Sequence, residues 1–344
     1  MYFEHKELLD PPIKRAAYSD RTSWLMAEMA RVTYIKFEVT DDALFNKLVD
    51  DLANINDKQL IERKIKYFLE SQNEIDVEGQ KKLIDALGEA SFDLVRTFNN
   101  NGTQALLAKR EMDKIAILAF RGTEKEDIRD IKTDLNARFY KDDNGAKIHT
   151  GFYKAFKGVE KDIREELKKL TDYSLYITGH SLGGALALIA TREINSDNLA
   201  ACYTFGSPKV GNSEFGDPIK APIYRVVNAV DIVPCLPDTY IIEILYLLIN
   251  LVLRMGISLR VPLLTDLLKF IQKTLQNYKE YEHQGDMRFL TTCAADFKDL
   301  RLIPNYNEIY RTVRVLKNFF VSVNDHSIEK YCEKLGNYAI NRNA

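Results

Sequence analysis

The chain has 344 residues, of which 46% are apolar and 28% are charged, and its formal net charge is −2. This balance allows a large buried core, and α/β folds of this length occur as single units. The small net charge excludes a general attraction to nucleic acid or to an anionic surface. The four cysteines are widely spaced and match no zinc or redox pattern, so we expect buried free thiols, as in a reducing compartment.

The first residues, MYFEHKELLDPP, contain three acidic side chains and no apolar run. They show no signal peptide. We therefore expect a cytoplasmic protein, a protein exported without a visible leader, or a mature secreted form.

One domain is expected over 1–344, beginning with a helical layer at 17–90. Apolar residues in that layer recur at helical spacing between charged ones, for example at Leu44, Leu48 and Leu52. From 91 onward the period changes, and strands are predicted at 91–98, 103–110 and 114–122. The Asn-Gly pair between the first two is typical of a tight hairpin.

An amphipathic helix is predicted next, at 152–170. A strand at Tyr173–Thr178, a helix after Ser181, and strands near Ala200–Phe205 and Ile223–Val227 follow. Strands that alternate with helices predict an α/β fold, with a mostly parallel sheet flanked by crossover helices.

The strongest local signal is the pentapeptide Gly179-His180-Ser181-Leu182-Gly183, which lies between that strand and that helix. It fits G-x-S-x-G, in which a sharp strand-to-helix turn holds a serine hydroxyl above the edge of the sheet. The alternative is a tight turn built of small residues. The strong strand and helix on either side favour Ser181 as a nucleophile.

A serine nucleophile needs a base and an acid that orients the base. The chain order nucleophile, acid, base, which is typical of α/β-hydrolases, leaves His283 and His326 as candidate bases. Asp231 follows an apolar strand at its carboxyl end, where open α/β sheets build their sites. It is favoured over other acids in the interval, such as Asp238, Asp266 and Glu280. The remaining histidines are His5, near the terminus, His149, which precedes the nucleophile, and His180, whose side chain should point away from the Ser181 hydroxyl.

Nine segments carry a family resemblance in their order along the chain: YSDRTSWLMAEMARVTY, GTQALLA, AFRGTE, HTGFYKAF, ITGHSLGGALA, YTFGSPKVGN, RVVNAVDIVPCLP, YEHQGD and DHSIEKY. Together they resemble the class 3 lipases, an α/β-hydrolase family that includes fungal triacylglycerol lipases. The resemblance spans most of 18–331, is weak over 35–90 and fails over 240–280.

The resemblance implies roles for individual residues. Ser181 would be the nucleophile, Asp231 the orienting acid and His326 the base, and His283 would occupy a position that supports the fold near the site. The resemblance therefore favours His326 over His283 as the base.

Further segments also match family positions. Thr123, in AFRGTE, matches the oxyanion-hole residue, whose backbone N–H would act with that of Leu182. The alternative for 121–123 is a plain strand-ending turn. The segment 149–152 matches a short motif beneath the site, for which a structural role is expected, and 127–139 lies where relatives carry a lid helix.

The implied activity is hydrolysis of carboxylic esters of lipids through an acyl-enzyme intermediate, with no metal or organic cofactor and no nucleic acid partner. A phospholipase, a short-chain carboxylesterase or an acyltransferase would use the same fold. A catalytically dead, membrane-associated interaction protein is disfavoured because serine, acid, histidine and oxyanion residue are all present. The sequence leaves the oligomeric state open.

An apolar insertion occupies 240–280, where the resemblance fails. The run IIEILYLLINLVL is apolar but for Glu243 and Asn250, and as a helix it is too short to span a bilayer. The insertion carries five basic and three acidic side chains, a net charge of +2. It fits a buried helical hairpin or an oligomer contact as well as a lid or an anchor that touches a lipid surface beside the site.

Overall fold

The computed structural model describes most of the chain, in segments. They are residues 17–36, 78–100, 102–122, 139–236, 280–307, 310–311 and 324–343, with single residues or short stretches at 2, 4–6, 9, 52, 61–63, 66 and 249. The insertion at 240–280, apart from 249 and 280, lies outside the described residues, as does most of the expected lid position at 127–139.

A central sheet of eight strands forms the middle layer. Its members in chain order are β1 (Asp93–Asn100), β2 (Thr103–Arg110), β3 (Ile115–Phe120), β6 (Ser174–His180), β7 (Leu199–Phe205), β8 (Ile223–Asn228), β9 (Asp286–Leu290) and β10 (Leu302–Pro304). The strands lie in this same order across the sheet. A separate two-stranded ribbon consists of β4 (Phe139–Lys141) and β5 (Lys147–His149).

Strand direction divides the sheet into a parallel centre and antiparallel edges. The five strands β3, β6, β7, β8 and β9 are parallel to one another. The strands β2 and β10 pair with β3 and β9 in antiparallel fashion, and β1 pairs in antiparallel fashion with β2. The parallel strands all end at one edge, and the β6–β8 ends lie side by side there, which brings distant parts of the chain together at that edge.

Helices cover both faces of the sheet. The helices α1 (Asp20–Val32) and α4 (Ile328–Asn343) pack on one face, and α2 (Thr150–Leu167) and α3 (Leu182–Ile194) pack on the other. The strands serve both faces because successive side chains alternate, so in β3 Ile115, Ile117 and Ala119 face α1 while Ala116 and Leu118 face α2 and α3.

The predicted fold class is confirmed. The helix at 152–170 and the strands predicted from 91 to 227 are present, with bounds that differ by a few residues. In the expected N-terminal layer, α1 and a helical run at 78–88 are described. No helix among the described residues is both long and apolar enough to cross a membrane.

Candidate active site

The turn between β6 and α3 holds Ser181 in an unusual backbone conformation. Its φ is 56° and its ψ is −127°, a region that residues with a side chain rarely adopt. The Ser181 N–H donates to the Phe205 carbonyl over 2.9 Å. A Cβ atom at Gly179 would collide with the backbone of Gly183, and one at Gly183 with the Phe120 carbonyl. The two glycines of the pentapeptide are therefore needed for the strand and helix to approach this closely.

Ser181, His326 and Asp231 form one hydrogen-bonded chain. His326 ends a short 3-10 turn, Asn324–His326, just before α4. Its Nε2 lies 2.8 Å from Ser181 Oγ, and its Nδ1 lies 2.9 and 3.0 Å from the two carboxylate oxygens of Asp231. A carboxylate only accepts, so Nδ1 carries the proton and Nε2 accepts from the serine hydroxyl. None of the three is more than 1% exposed.

Further groups fix the Asp231 carboxylate. The Val233 N–H donates to Oδ1 over 2.9 Å, and the Tyr331 hydroxyl donates to Oδ2 over 2.6 Å. Arg311 donates to the main-chain carbonyl of Asp231 over 3.2 Å. Burial and the adjacent carboxylate charge hold the pKa of Tyr331 well above its ordinary value, so its hydroxyl stays a donor.

The turn that carries His326 is tied to the end of β8. Asn228 donates from Nδ2 to the Asp325 carbonyl over 2.9 Å. The buried Lys334 of α4 donates to Asn228 Oδ1 over 2.6 Å and to the Thr291 carbonyl over 3.0 Å. The sequence interpretation missed Tyr331, Asn228 and Lys334. The spacing of Tyr331 and Lys334, three residues apart on one helix, was the available signal.

Only part of the predicted oxyanion hole is described. Leu182 is the first residue of α3, so its N–H has no acceptor within the helix. Thr123 lies outside the described residues. Its neighbour Gly122 packs against the nucleophile turn, because a Cβ atom there would collide with the His180 carbonyl and lie 3.2 Å from Ser181 Cβ. The end of β3 thus lies directly beside Ser181.

The other candidate base, His283, is engaged elsewhere. Its Nε2–H donates to the Pro234 carbonyl over 2.6 Å, which braces the loop after Asp231. Burial first, and then the nearby cations Arg225, Lys209 and Arg311, hold the pKa of His283 well below its ordinary value.

His149 caps a helix rather than joining this chain of hydrogen bonds. Its Nδ1 accepts from the Phe152 N–H at the start of α2, over 3.3 Å. Burial lowers the pKa of His149 to about 4. A search of the described residues finds no group of histidine, cysteine and acidic side chains that could hold a metal ion.

Comparison with known protein families gives a match for part of the chain. A family model described as lipase (class 3) matches residues 117–241, the segment from β3 to just past Asp231. This segment of the chain is similar to the class 3 lipases. The resemblance inferred from the nine sequence segments is thereby confirmed.

Two curated relatives show how far the class 3 lipase similarity extends. A lipase of Rhizopus niveus is 33% identical over 161 residues, which cover 42% of this chain and 41% of that protein. A triacylglycerol lipase of Arabidopsis thaliana is 29% identical over 182 residues, with 38% and 35% covered. The chain spans about two fifths of the length of the curated relatives it matches.

A solved lipase structure overlaps a larger share of the chain. The lipase from Rhizopus microsporus var. chinensis is 23% identical, with 72% of this chain and 76% of that chain covered, at a TM-score of 0.49.

Proposed function

We propose that this chain is a serine hydrolase that cleaves carboxylic esters of lipids. The observation that carries the proposal is the chain of hydrogen bonds from Ser181 Oγ through His326 to the Asp231 carboxylate, with 2.8 Å between the serine oxygen and the imidazole nitrogen. A serine hydroxyl is a weak nucleophile unless a base stands ready to take its proton, and this arrangement supplies one.

The first half-reaction forms an acyl-enzyme. Ser181 Oγ attacks the ester carbonyl carbon while its proton passes to His326 Nε2, and Asp231 stabilises the resulting imidazolium. The carbonyl oxygen becomes an oxyanion, which the backbone N–H groups of Leu182 and Thr123 would bind. The bond from the carbon to the leaving oxygen then breaks, and His326 returns the proton to the alcohol.

The second half-reaction releases the acid. Water gives a proton to His326 and attacks the acyl carbon, and the bond to Ser181 Oγ breaks as that oxygen regains the proton. The products are an alcohol and a carboxylic acid.

Lipid esters are the proposed substrates because the relatives are named as enzymes that act on them. They include a triacylglycerol lipase, and also a chloroplastic phospholipase A1 of Arabidopsis thaliana that is 30% identical over 161 residues. Turnover of matched acylglycerols, phospholipids and soluble short-chain esters would rank the three substrate classes.

Removal of the nucleophile or the base tests the mechanism. We expect Ser181→Ala and His326→Ala each to lower ester hydrolysis by roughly 10⁶-fold, because the two residues act as one unit. Both variants should also lose labelling of that site by a fluorophosphonate probe, because Ser181→Ala lacks the nucleophile and His326→Ala lacks the base that activates it. His283→Ala, a change at the rival histidine, is the matched comparison. Full activity in His326→Ala, or loss of activity in His283→Ala alone, would contradict the assignment.

A further inference from the structure

His180 precedes the nucleophile directly, yet its ring points away from the serine hydroxyl and is 4% exposed. Both ring nitrogens make hydrogen bonds. Nε2 lies 2.6 Å from the main-chain carbonyl oxygen of His326, and Nδ1 lies 2.8 Å from the hydroxyl of Tyr34, just after α1. The rings of His180 and His326 pack together with their centroids 4.6 Å apart. The residue before the nucleophile thus binds the backbone of the residue that would be the base.

These partners define which nitrogen carries the proton. A carbonyl oxygen only accepts, so Nε2 of His180 must be protonated to bond the His326 carbonyl. In the neutral ring Nδ1 then presents a lone pair, to which the Tyr34 hydroxyl donates. The opposite tautomer would set two lone pairs against each other at Nε2, and the Tyr34 hydroxyl would have to rotate and accept from Nδ1–H. The His326 carbonyl therefore requires the Nε2–H tautomer of His180, and the Tyr34 hydroxyl stabilises that tautomer by donating to Nδ1.

The hydrogen bonds close a small ring that contains both reacting groups. The ring runs from Ser181 through its peptide bond to His180, across the 2.6 Å bond to the His326 carbonyl, and along the His326 side chain back to Ser181 Oγ. Asp231 orients the imidazole of His326, whereas His180 fixes the backbone from which that imidazole extends. Reaction rates are sensitive to displacements of about 1 Å between reacting groups.

We propose that His180 is a positioning residue for His326 and that Tyr34 holds it in the required tautomer. The inference rests on the proposed hydrolase function for its kinetic consequence, but the structural part stands by itself. The assignment gives a role in the site to the variable residue of the G-x-S-x-G sequence that precedes the serine.

Substitutions at His180 test whether its Nε2–H is the group that positions His326. His180→Leu removes the donor and should lower kcat by roughly ten- to a hundredfold while KM stays within about twofold, because only the placement of the base changes. His180→Gln puts an amide N–H near the position of Nε2 and should recover most of kcat. His180→Asn, whose shorter amide stands near the position of Nδ1, should not.

Tyr34→Phe tests tautomer selection with the loss of one hydroxyl group, and we expect a fall in kcat of about threefold to tenfold, smaller than that of His180→Leu. Tyr173→Phe is the matched control. Its hydroxyl bonds Glu111 at the opposite end of β6, about 23 Å along the strand from Ser181, so kcat should not change.

A spectroscopic measurement reports on His180 without relying on turnover. With five histidines in the chain, ¹⁵N-histidine NMR signals can be assigned by substitution. We expect the Nε2–H tautomer at His180 in the native protein, a mixture of tautomers in Tyr34→Phe, and a shifted His326 signal in His180→Leu. Thermal melts of every variant report whether it is folded.

The outcomes separate this inference from the proposed function. A native protein that hydrolyses no ester would refute the function, and the tautomer measurement would still decide the role of Tyr34 and His180. An active native protein with unchanged kcat in folded His180→Leu would overturn the inference. So would an Nδ1–H tautomer at His180. If His180→Leu does not fold, unchanged kcat and an unchanged His180 tautomer in Tyr34→Phe would overturn it.

Discussion

Ser181 carries backbone strain in addition to its hydrogen bonds. A residue with a Cβ atom at φ 56° and ψ −127° raises the free energy of the folded state by about 1–3 kcal/mol. The Ser181 N–H bond to Phe205 and the close packing of the two flanking glycines hold it there. Although Ser181 precedes α3, its hydroxyl makes no capping bond to the helix. It bonds His326 instead, so the local structure serves the proposed nucleophile rather than the helix.

Replacement of Ser181 by glycine should separate the effect of backbone strain on stability from the loss of the hydroxyl group. Both Ser181→Gly and Ser181→Ala lack the nucleophile, but glycine adopts positive φ without strain. We expect Ser181→Gly to be more stable than Ser181→Ala by about 1 kcal/mol, after the larger backbone entropy of glycine in the unfolded chain is subtracted. Urea denaturation of the two variants measures the difference. A less stable Ser181→Gly would show that the backbone at this turn is not strained.

At the scale of elements, α2 is capped by a residue that titrates, His149. Phe152 donates its N–H to Nδ1 of His149, which requires the neutral ring. Burial accordingly lowers the pKa of His149 to about 4, below its ordinary value of 6.5. As the pH falls, the unfolded chain takes up this proton before the folded protein does. The stability that neutral His149 provides is therefore complete above pH 6.5 and is lost progressively down to about pH 4.

His149→Asn should flatten this acid dependence. Asparagine keeps a side-chain acceptor suited to a helix N-terminus but does not titrate. Between pH 6.5 and 4 the native protein should lose up to about 3 kcal/mol of unfolding free energy more than the variant. His283, whose pKa is also lowered, is present in both proteins and cancels. Urea denaturation across this pH range measures the two slopes, and parallel slopes would contradict the lowered pKa.

Elements that depend on a local pattern were predictable from the sequence. The strands β1 to β3 and helix α2 follow apolar periodicity, and the turn at Ser181 follows from glycine spacing. Asp231 could also be predicted from the sequence, because it follows shortly after the apolar strand β8.

The supporting residues could not be predicted, because their roles depend on packing between distant elements. Tyr331 and Lys334 reach Asp231 and Asn228 across about a hundred residues, only because α4 packs beside α1 and over the sheet. The hydrogen bond of Tyr34 to His180 spans 146 residues, because α1 packs on the sheet. Sequence periodicity does not indicate such contacts between distant elements.

At the scale of the molecule, the insertion at 240–280 is the longest segment that is interpreted from the sequence alone. If it touches lipid, Leu247→Asp with Leu251→Asp should depress hydrolysis of emulsified long-chain esters and spare a soluble short-chain ester. Rates on both substrates, together with a thermal melt, test this. Equal loss on both substrates with a lower melting temperature would identify the segment as part of the core.

The two ends of the described chain meet on one face of the sheet. Helix α4 packs against α1, and Arg342 near its end donates to Asp20 at the start of α1 over 2.8 Å. This exposed ion pair adds little stability by itself, because solvent screens it. The apolar contact between the helices therefore holds α4 in place, while the hydrogen bonds from Asn228 and His180 fix the turn with His326.

The sequence distance between Ser181 and His326 sets an order of events during synthesis. The two residues are 145 positions apart, so at ribosomal speeds of roughly 5–20 residues per second the histidine follows the serine by about 7–30 s. In that interval the nascent chain contains Ser181 but not His326, the proposed base. The proposed hydrolase site is therefore complete only after α4 has emerged from the ribosome and packed against α1.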